Sequence, residues 1–171
     1  MGSRARIVPA LLACLALAVP SAAAAPALRL SSPAFRQGQP IPARYTCRGE
    51  NVSPPLRWTA PPARTRSFAL ELHDPDAPVP GGFTHWLAWG LAASARGLPA
   101  GTGAPVEGAN GSGRPGYTGP CPPSGVHRYV FTLWALDAPL RLPPGADRSA
   151  FRRALRGHVL ASAQLVGRFG A

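Results

Sequence analysis

From Ser67 to His73 the chain alternates, with Phe68, Leu70 and Leu72 set against Ser67, Ala69, Glu71 and His73. A period of two predicts a strand with one buried face. The stretch Phe83–Leu91 continues the rhythm with Phe83, His85, Leu87 and Trp89 on one face. Its other face carries Thr84, Trp86 and Ala88, so both faces are expected to be at least partly buried. A third strand is predicted over Val126–Asp137, with His127, Tyr129, Phe131, Leu133 and Ala135 on one side, and a last one over Val159–Phe169. Between these two the period lengthens. Asp147 can cap a short helix ending at Arg156, Phe151, Ala154 and Leu155 form its apolar stripe, and Gly157 stops it.

The remaining segments are broken by turn residues. Residues 26–66 carry Ser32-Pro33, Gln39-Pro40, Ile41-Pro42, Ser53-Pro54-Pro55 and Ala60-Pro61-Pro62, which leave room only for short strands at Ala27–Leu30 and Leu56–Trp58. Asp74–Gly82 can neither continue a strand nor start a helix, and Ala92–Tyr117 is a long glycine-rich irregular region, of the kind that is usually functional or mobile. Gly119–Gly125 is a rigid turn into the third strand. No internal repeat is visible. The fold class expected is mainly β, an antiparallel two-sheet β-sandwich with a short C-terminal helix.

Residues 1–24 read as a cleaved signal peptide and residues 25–171 as one domain. Arg4 and Arg6 precede an uncharged run from Ile7 to Val19, and small residues follow at Ser21–Ala25. The run falls short of the roughly 20 residues that span a bilayer, so no membrane span is expected after cleavage. Pro26 favours a cut after Ala24 or Ala23 over one after Ala25. An uncleaved anchor, or lipid attachment at Cys14, are the rival readings. The expected location is periplasmic or secreted.

Composition narrows the picture. The 171 residues include 19 glycines and 22 prolines, too many breakers for a helical bundle. With 46% hydrophobic and only 15% charged residues, the chain is not a charge-swollen disordered polymer. All 18 basic residues are arginine, against 7 acids. This bias fits a GC-rich codon usage as well as nucleic-acid binding, and no basic run with interleaved aromatics supports the latter. Removing the signal leaves Cys47 and Cys121 as the only cysteines. In an oxidising compartment they read jointly as one disulfide, with two free thiols or a zinc site shared with His127 as alternatives.

Polar groups with chemical potential punctuate the strand ends: Asp74 and Asp76 after the first long strand, His85 in the second, His127 at the start of the third. Taken singly, an Asp before Pro is a turn former and a His on an apolar strand is a satisfied core residue. Together a carboxylate and two imidazoles have the residue types for acid–base or anion-binding work, if the strands are neighbours. The Gly-x-Ser-x-Gly elbow and the His/Glu zinc motifs are absent.

Seven motifs in order are more specific. They are Tyr45-Thr46-Cys47-x-Gly49, Ser53-Pro54-Pro55-Leu56-x-Trp58, Asp74-Pro75-Asp76-Ala77-Pro78, Phe83-Thr84-His85-Trp86, Gly116-Tyr117-x-Gly119-Pro120-Cys121-Pro122-Pro123, His127-Arg128-Tyr129-x-Phe131-x-Leu133-x-Ala135-Leu136-Asp137 and Gly157-His158-Val159-Leu160-Ala161. In these the chain resembles the phosphatidylethanolamine-binding protein family, specifically its bacterial and archaeal, Raf-kinase-inhibitor-like branch. The resemblance runs from about residue 28 to 169. It implies a β-sandwich with a small anion pocket at one end, and carries the ligand-binding roles onto Asp74, His85, His127 and Tyr129, walled by Gly119, Pro120, Pro122 and Pro123. Asp76 is expected to shape the turn, and Asp74 to accept from a histidine and fix its tautomer. The chain departs from the family where Gly90 follows Trp89 in place of a common Asn, and where Asn110-Gly111-Ser112-Gly113 replaces an Asn-Asp form.

The function expected is thus an exported binding protein for a small anionic ligand, a phosphate or phosphoryl headgroup. An inhibitor of a partner protein (protease or kinase type) is the alternative, and a hydrolase using Asp74, His85 and His127 ranks last. No catalytic residue, metal or cofactor is expected.

Overall fold

The computed structural model describes residues 1–2 and 27–171. The expected signal segment from residue 3 onward, with Cys14, lies outside the described residues. In chain order the strands are β1 (Leu30–Ser31), β2 (Leu56–Trp58), β3 (Ser67–Asp74), β4 (Phe83–Ala92), β5 (Gly97–Leu98), β6 (Val106–Glu107), β7 (Val126–Leu136) and β8 (Val159–Gly170), with helix α1 (Arg148–Leu155) between the last two. A five-stranded antiparallel sheet has the order β6-β4-β3-β7-β8, and a three-stranded one β1-β2-β5. Among the described residues the chain is therefore mainly β, with two antiparallel sheets and one short α-helix.

The main core lies between the sheets. Phe68, Leu70 and Leu72 of β3, Trp86 of β4, and Tyr129, Phe131 and Leu133 of β7 pack there with Leu30, Leu56, Trp58 and Leu98 of the small sheet. A second core fills the opposite face of the large sheet, where Ala69, Leu87, Trp89, Trp134 and Leu136 meet Phe151 and Leu155 of α1. Asp147 starts this helix, its Oδ1 accepting from Ala150 N at 2.7 Å.

Two sequence expectations need correction here. β3 is not buried on one face only, because α1 covers the other. Ser67, Ala69 and Glu71 are all buried, and Glu71, only 1% exposed, pairs with Arg148 (2.6 Å) and Arg152. These arginines stand one helical turn apart, and Arg152 also lies over the Trp134 ring, 4.9 Å from its centroid.

The expected common face of Phe83, His85, Leu87 and Trp89 is split by a β-bulge. Leu72 pairs with Trp86 but His73 pairs with Thr84, which leaves His85 as an extra residue in β4. The alternation therefore breaks between His85 and Trp86, which share a side. His85 turns toward the inter-sheet side and meets Tyr129, while Leu87 and Trp89 remain under α1. A second irregularity sets Trp89 and Gly90 opposite Ala69. Gly90 there has φ +75°, a conformation open to Gly and tolerated by Asn, which accounts for the family departure at this position.

Candidate functional site

Asp74 closes β3, only 3% exposed, and both its oxygens are used. Oδ1 accepts from the backbone N of Asp76 at 2.8 Å, the Asx turn that Asp-Pro favours. Oδ2 accepts from Nδ1 of His127, at the start of β7, also at 2.8 Å. Asp76 points outward and receives three hydrogen bonds from Arg128, one from its backbone and two from its guanidinium. The guanidinium holds the Asp76 carboxyl down at about 2. The Asp74–Asp76 turn is thus fixed to β7 by two consecutive residues, and Asp76 has the shaping role expected of it.

His85 is held equally firmly. Its Nδ1 donates to the carbonyl of Thr118 at 2.8 Å, and Thr118 N donates back to the His85 carbonyl at 2.9 Å. Its ring stands edge-on to Tyr129, at 5.2 Å, and to Phe83, at 4.8 Å. Burial pushes the His85 imidazole below its ordinary pKa, against the opposing pull of the Thr118 carbonyl and the Asp74 charge. Tyr129 is fully buried, its hydroxyl makes no hydrogen bond of good geometry among the described residues although Asp74 and the Cys121 backbone lie near it, and burial together with the Asp74 charge pushes its pKa up.

These bonds decide the tautomers. A carboxylate and a carbonyl only accept, so both imidazoles carry a proton on Nδ1. In each neutral ring Nε2 is then a lone pair. Either histidine can donate from Nε2 to an anion only as an imidazolium.

Asp74 and His85 line a cavity of about 280 Å³. Its walls are Ala77, Pro78 and Val79 from the turn after β3, Phe83 at the start of β4, Thr118 and Gly119, and Cys121, Pro122 and Pro123 before β7. Ser112 reaches it from a loop organised by Asn110, whose Oδ1 accepts from Ser112 N at 2.9 Å and Arg114 N at 3.3 Å. Gly119 has no room for a Cβ, which would stand 2.6 Å from Asn51 Oδ1, and its N–H donates to that same oxygen at 2.7 Å. Cys47 and Cys121 form a disulfide, with Cα atoms 5.4 Å apart, and Cys47 N donates to the Pro120 carbonyl at 3.1 Å. This excludes the free-thiol and zinc alternatives. Closing a loop of this length contributes about 4 kcal/mol in the chain-entropy model.

The residues singled out from sequence thus meet at one end of the sandwich, but not all in the same way. Asp74, His85, Gly119, Pro122 and Pro123 line the cavity, His127 adjoins it through its bond to Asp74 and Tyr129 through its contact with the His85 ring, and Pro120 is buried. Sequence reasoning missed Ala77, Pro78, Val79, Phe83, Ser112 and Thr118 as walls. The apolar Ala77-Pro78-Val79 run at an exposed turn was the available signal for the first three.

A family model described as "Phosphatidylethanolamine-binding protein" matches residues 31–170. A UPF0098 protein of Methanothermobacter thermautotrophicus is 46% identical over 150 residues, covering 82% of this chain and 97% of the relative. A lipoprotein-named relative, LppC of Mycobacterium tuberculosis, is 43% identical over 155 residues, covering 88% of this chain and 75% of its own length. Among solved structures, a PEBP homolog of Chlamydia trachomatis, CT736, superposes with a TM-score of 0.81 at 37% identity, covering 85% of this chain and 98% of that one. E. coli YbcL, described as a member of the mammalian PEBP family, gives 0.79 at 29% identity, covering 84% and 98%.

Proposed function

The chain belongs to the phosphatidylethanolamine-binding protein family, and from that premise we propose that it is an exported binding protein whose cavity takes a small anion, a phosphate or the phosphoryl group of a headgroup. The observation that carries the reading is the commitment of both imidazole Nδ1 atoms to fixed acceptors. Each ring is left with one nitrogen to offer a ligand. The buried Tyr129 hydroxyl, without a partner, supplies a further donor beside them. Gly119 and its neighbours let the backbone approach closely, and Pro122 and Pro123 stiffen the wall. Asp74 repels an anion by its charge, and its contribution is to hold His127 and fix its tautomer.

Export is supported by the disulfide, by the tripartite N-terminus and by the lipoprotein name of a relative. Among the described residues no helix is long and apolar enough to cross a membrane. Intact-mass measurement on the periplasmic fraction is expected to give a chain beginning at Ala24 or Ala25. A mass retaining the first 23 residues, or a lipid on Cys14, overturns that expectation.

Calorimetric titration with phosphate, O-phosphorylethanolamine and uncharged glycerol tests the cavity. The first two are expected to saturate one site and glycerol none. Failure of both anions to bind overturns the reading.

A further inference from the structure

The Tyr117–Gly119 segment serves two cavities. Thr118 and Gly119 wall the one already described, and Tyr117 walls a second of about 230 Å³. The second is built from Trp86, Tyr117, Glu107, Asn51, Ser53 and Thr102. Its two rings meet edge-to-face at 5.7 Å, and the Tyr117 hydroxyl is turned away, donating to the Tyr45 carbonyl at 2.6 Å.

Glu107 gives this cavity its character. The indole Nε1–H of Trp86 donates to Oε1 at 2.8 Å, and Ala104 N reaches the same oxygen at 3.4 Å. Oε2 receives no hydrogen bond among the described residues, and Gly116 leaves it room, since a Cβ there would stand 3.2 Å away. Of the chain's 7 acids, Glu50, Glu71, Asp74, Asp76 and Asp137 each meet an arginine or a histidine, and Asp147 caps α1. Among the described residues Glu107 alone has neither, in a chain with 18 arginines. A half-buried carboxylate oxygen left free beside two aromatic rings is matched by a cation of moderate hydration.

We infer that this second cavity binds a small primary ammonium group, with Glu107 as its counter-ion and Trp86 and Tyr117 as its aromatic walls. Three N–H donors have acceptors available in Oε2 of Glu107 and the hydroxyls of Ser53 and Thr102. A divalent metal is a poorer match in charge, because one carboxylate offsets only half of its charge and water would have to fill much of its shell. The site is separate from the anion cavity but not independent of it. Asn51, the one non-glycine residue at positive φ (55°) among those described, lines the ammonium cavity while its Oδ1 holds Gly119 N.

The test follows the Trp86 indole N–H resonance during titration with methylammonium chloride, against potassium chloride at equal ionic strength and against calcium chloride. A saturating shift with methylammonium alone is expected. Glu107→Gln preserves an oxygen acceptor for the indole, and is expected to weaken methylammonium binding at least tenfold while leaving sulfate affinity at the other cavity unchanged. No saturation beyond the potassium control, tighter binding of calcium, or equal affinity in Glu107→Gln each overturns the inference. The native titration stands by itself if the variant does not fold.

Discussion

His127 donates its Nδ1 proton to Oδ2 of Asp74 across 2.8 Å, the two residues standing 53 positions apart in sequence. Because that proton is committed, an anion met by Nε2 must bring a second proton onto the ring. Sulfate, which does not itself titrate near neutral pH, is therefore expected to bind more tightly as pH falls, with protons taken up on binding. His85 is pushed below its ordinary value by burial, so its share of the gain comes at lower pH than that of an unperturbed imidazole. Calorimetry in buffers of different ionisation enthalpy counts the protons taken up. Constant affinity with zero uptake would show that the imidazoles do not donate from Nε2.

Removing one partner of the pair separates orientation from charge. His127→Ala is expected to cost a charge-assisted hydrogen bond, roughly 1.5–3 kcal/mol, about ten- to a hundredfold in sulfate affinity. Asp74→Asn removes an anion-repelling charge and should still weaken binding, because the carboxylate that orients the His127 ring goes with it. Tighter sulfate binding by Asp74→Asn would reduce Asp74 to a source of repulsion.

Tyr129→Phe is expected to move stability and binding in opposite directions. The buried hydroxyl has no partner among the described residues, and deleting it should stabilise the empty protein by about 1 kcal/mol. Sulfate affinity should drop in the same variant. Urea denaturation with and without sulfate reads both quantities, and a drop in stability would mean the hydroxyl is satisfied in solution.

How much of this was legible in the sequence varies with the range of the interaction that decides it. Alternation marked β3, β4, β7 and β8 to within a residue or so at each end, and Asp147 and Gly157 bracketed α1. The two-residue strands β5 and β6 were invisible inside a region read as irregular, since a pair of residues carries no period. The bulge at His85 arises from the register between β3 and β4, which no single segment specifies. Glu71 occupies a polar slot in an alternating strand and reads as solvent-facing until α1 is known to lie over it. The convergence of Asp74 with His127 came from the family motifs, because neither residue alone departs from a turn former or a core histidine.

Glu71→Gln tests that hidden pair. The substitution leaves Arg148 and Arg152 without their shared counter-ion under α1. Complete burial of both partners would make the loss about 3–5 kcal/mol, and the partly exposed guanidiniums reduce it to about 2 kcal/mol. Urea denaturation should report this loss with sulfate affinity unchanged.

Two histidines and one aspartate set the acid limb of stability. Burial pushes His73 and His85 below their ordinary value, with Arg148 adding to the effect at His73. The unfolded chain then binds more protons once pH drops below about 6.5. The stability from keeping these rings neutral is present above that pH and is lost as pH falls toward their folded values. Asp76, held at about 2 against an ordinary 3.8, adds stability that is present above about 4 and lost between there and about 2. Melting temperature is expected to be level above neutrality and to fall in two stages below it. His85→Gln should flatten the first stage, and an unaltered profile would count against its burial as a neutral ring.

The Cys47–Cys121 bridge closes a ring of chain that holds Asp74, His85 and the turns around both cavities, with His127 and Tyr129 outside it. A protease that cuts one exposed turn within that ring, such as the one carrying Val79, opens a circle without dividing the molecule. The two fragments stay joined through sulfur, and the sheet that pairs β3 with β4 and β7 still holds each piece in register. In surroundings rich in proteases and poor in chaperones, a single nick becomes an injury the protein can carry.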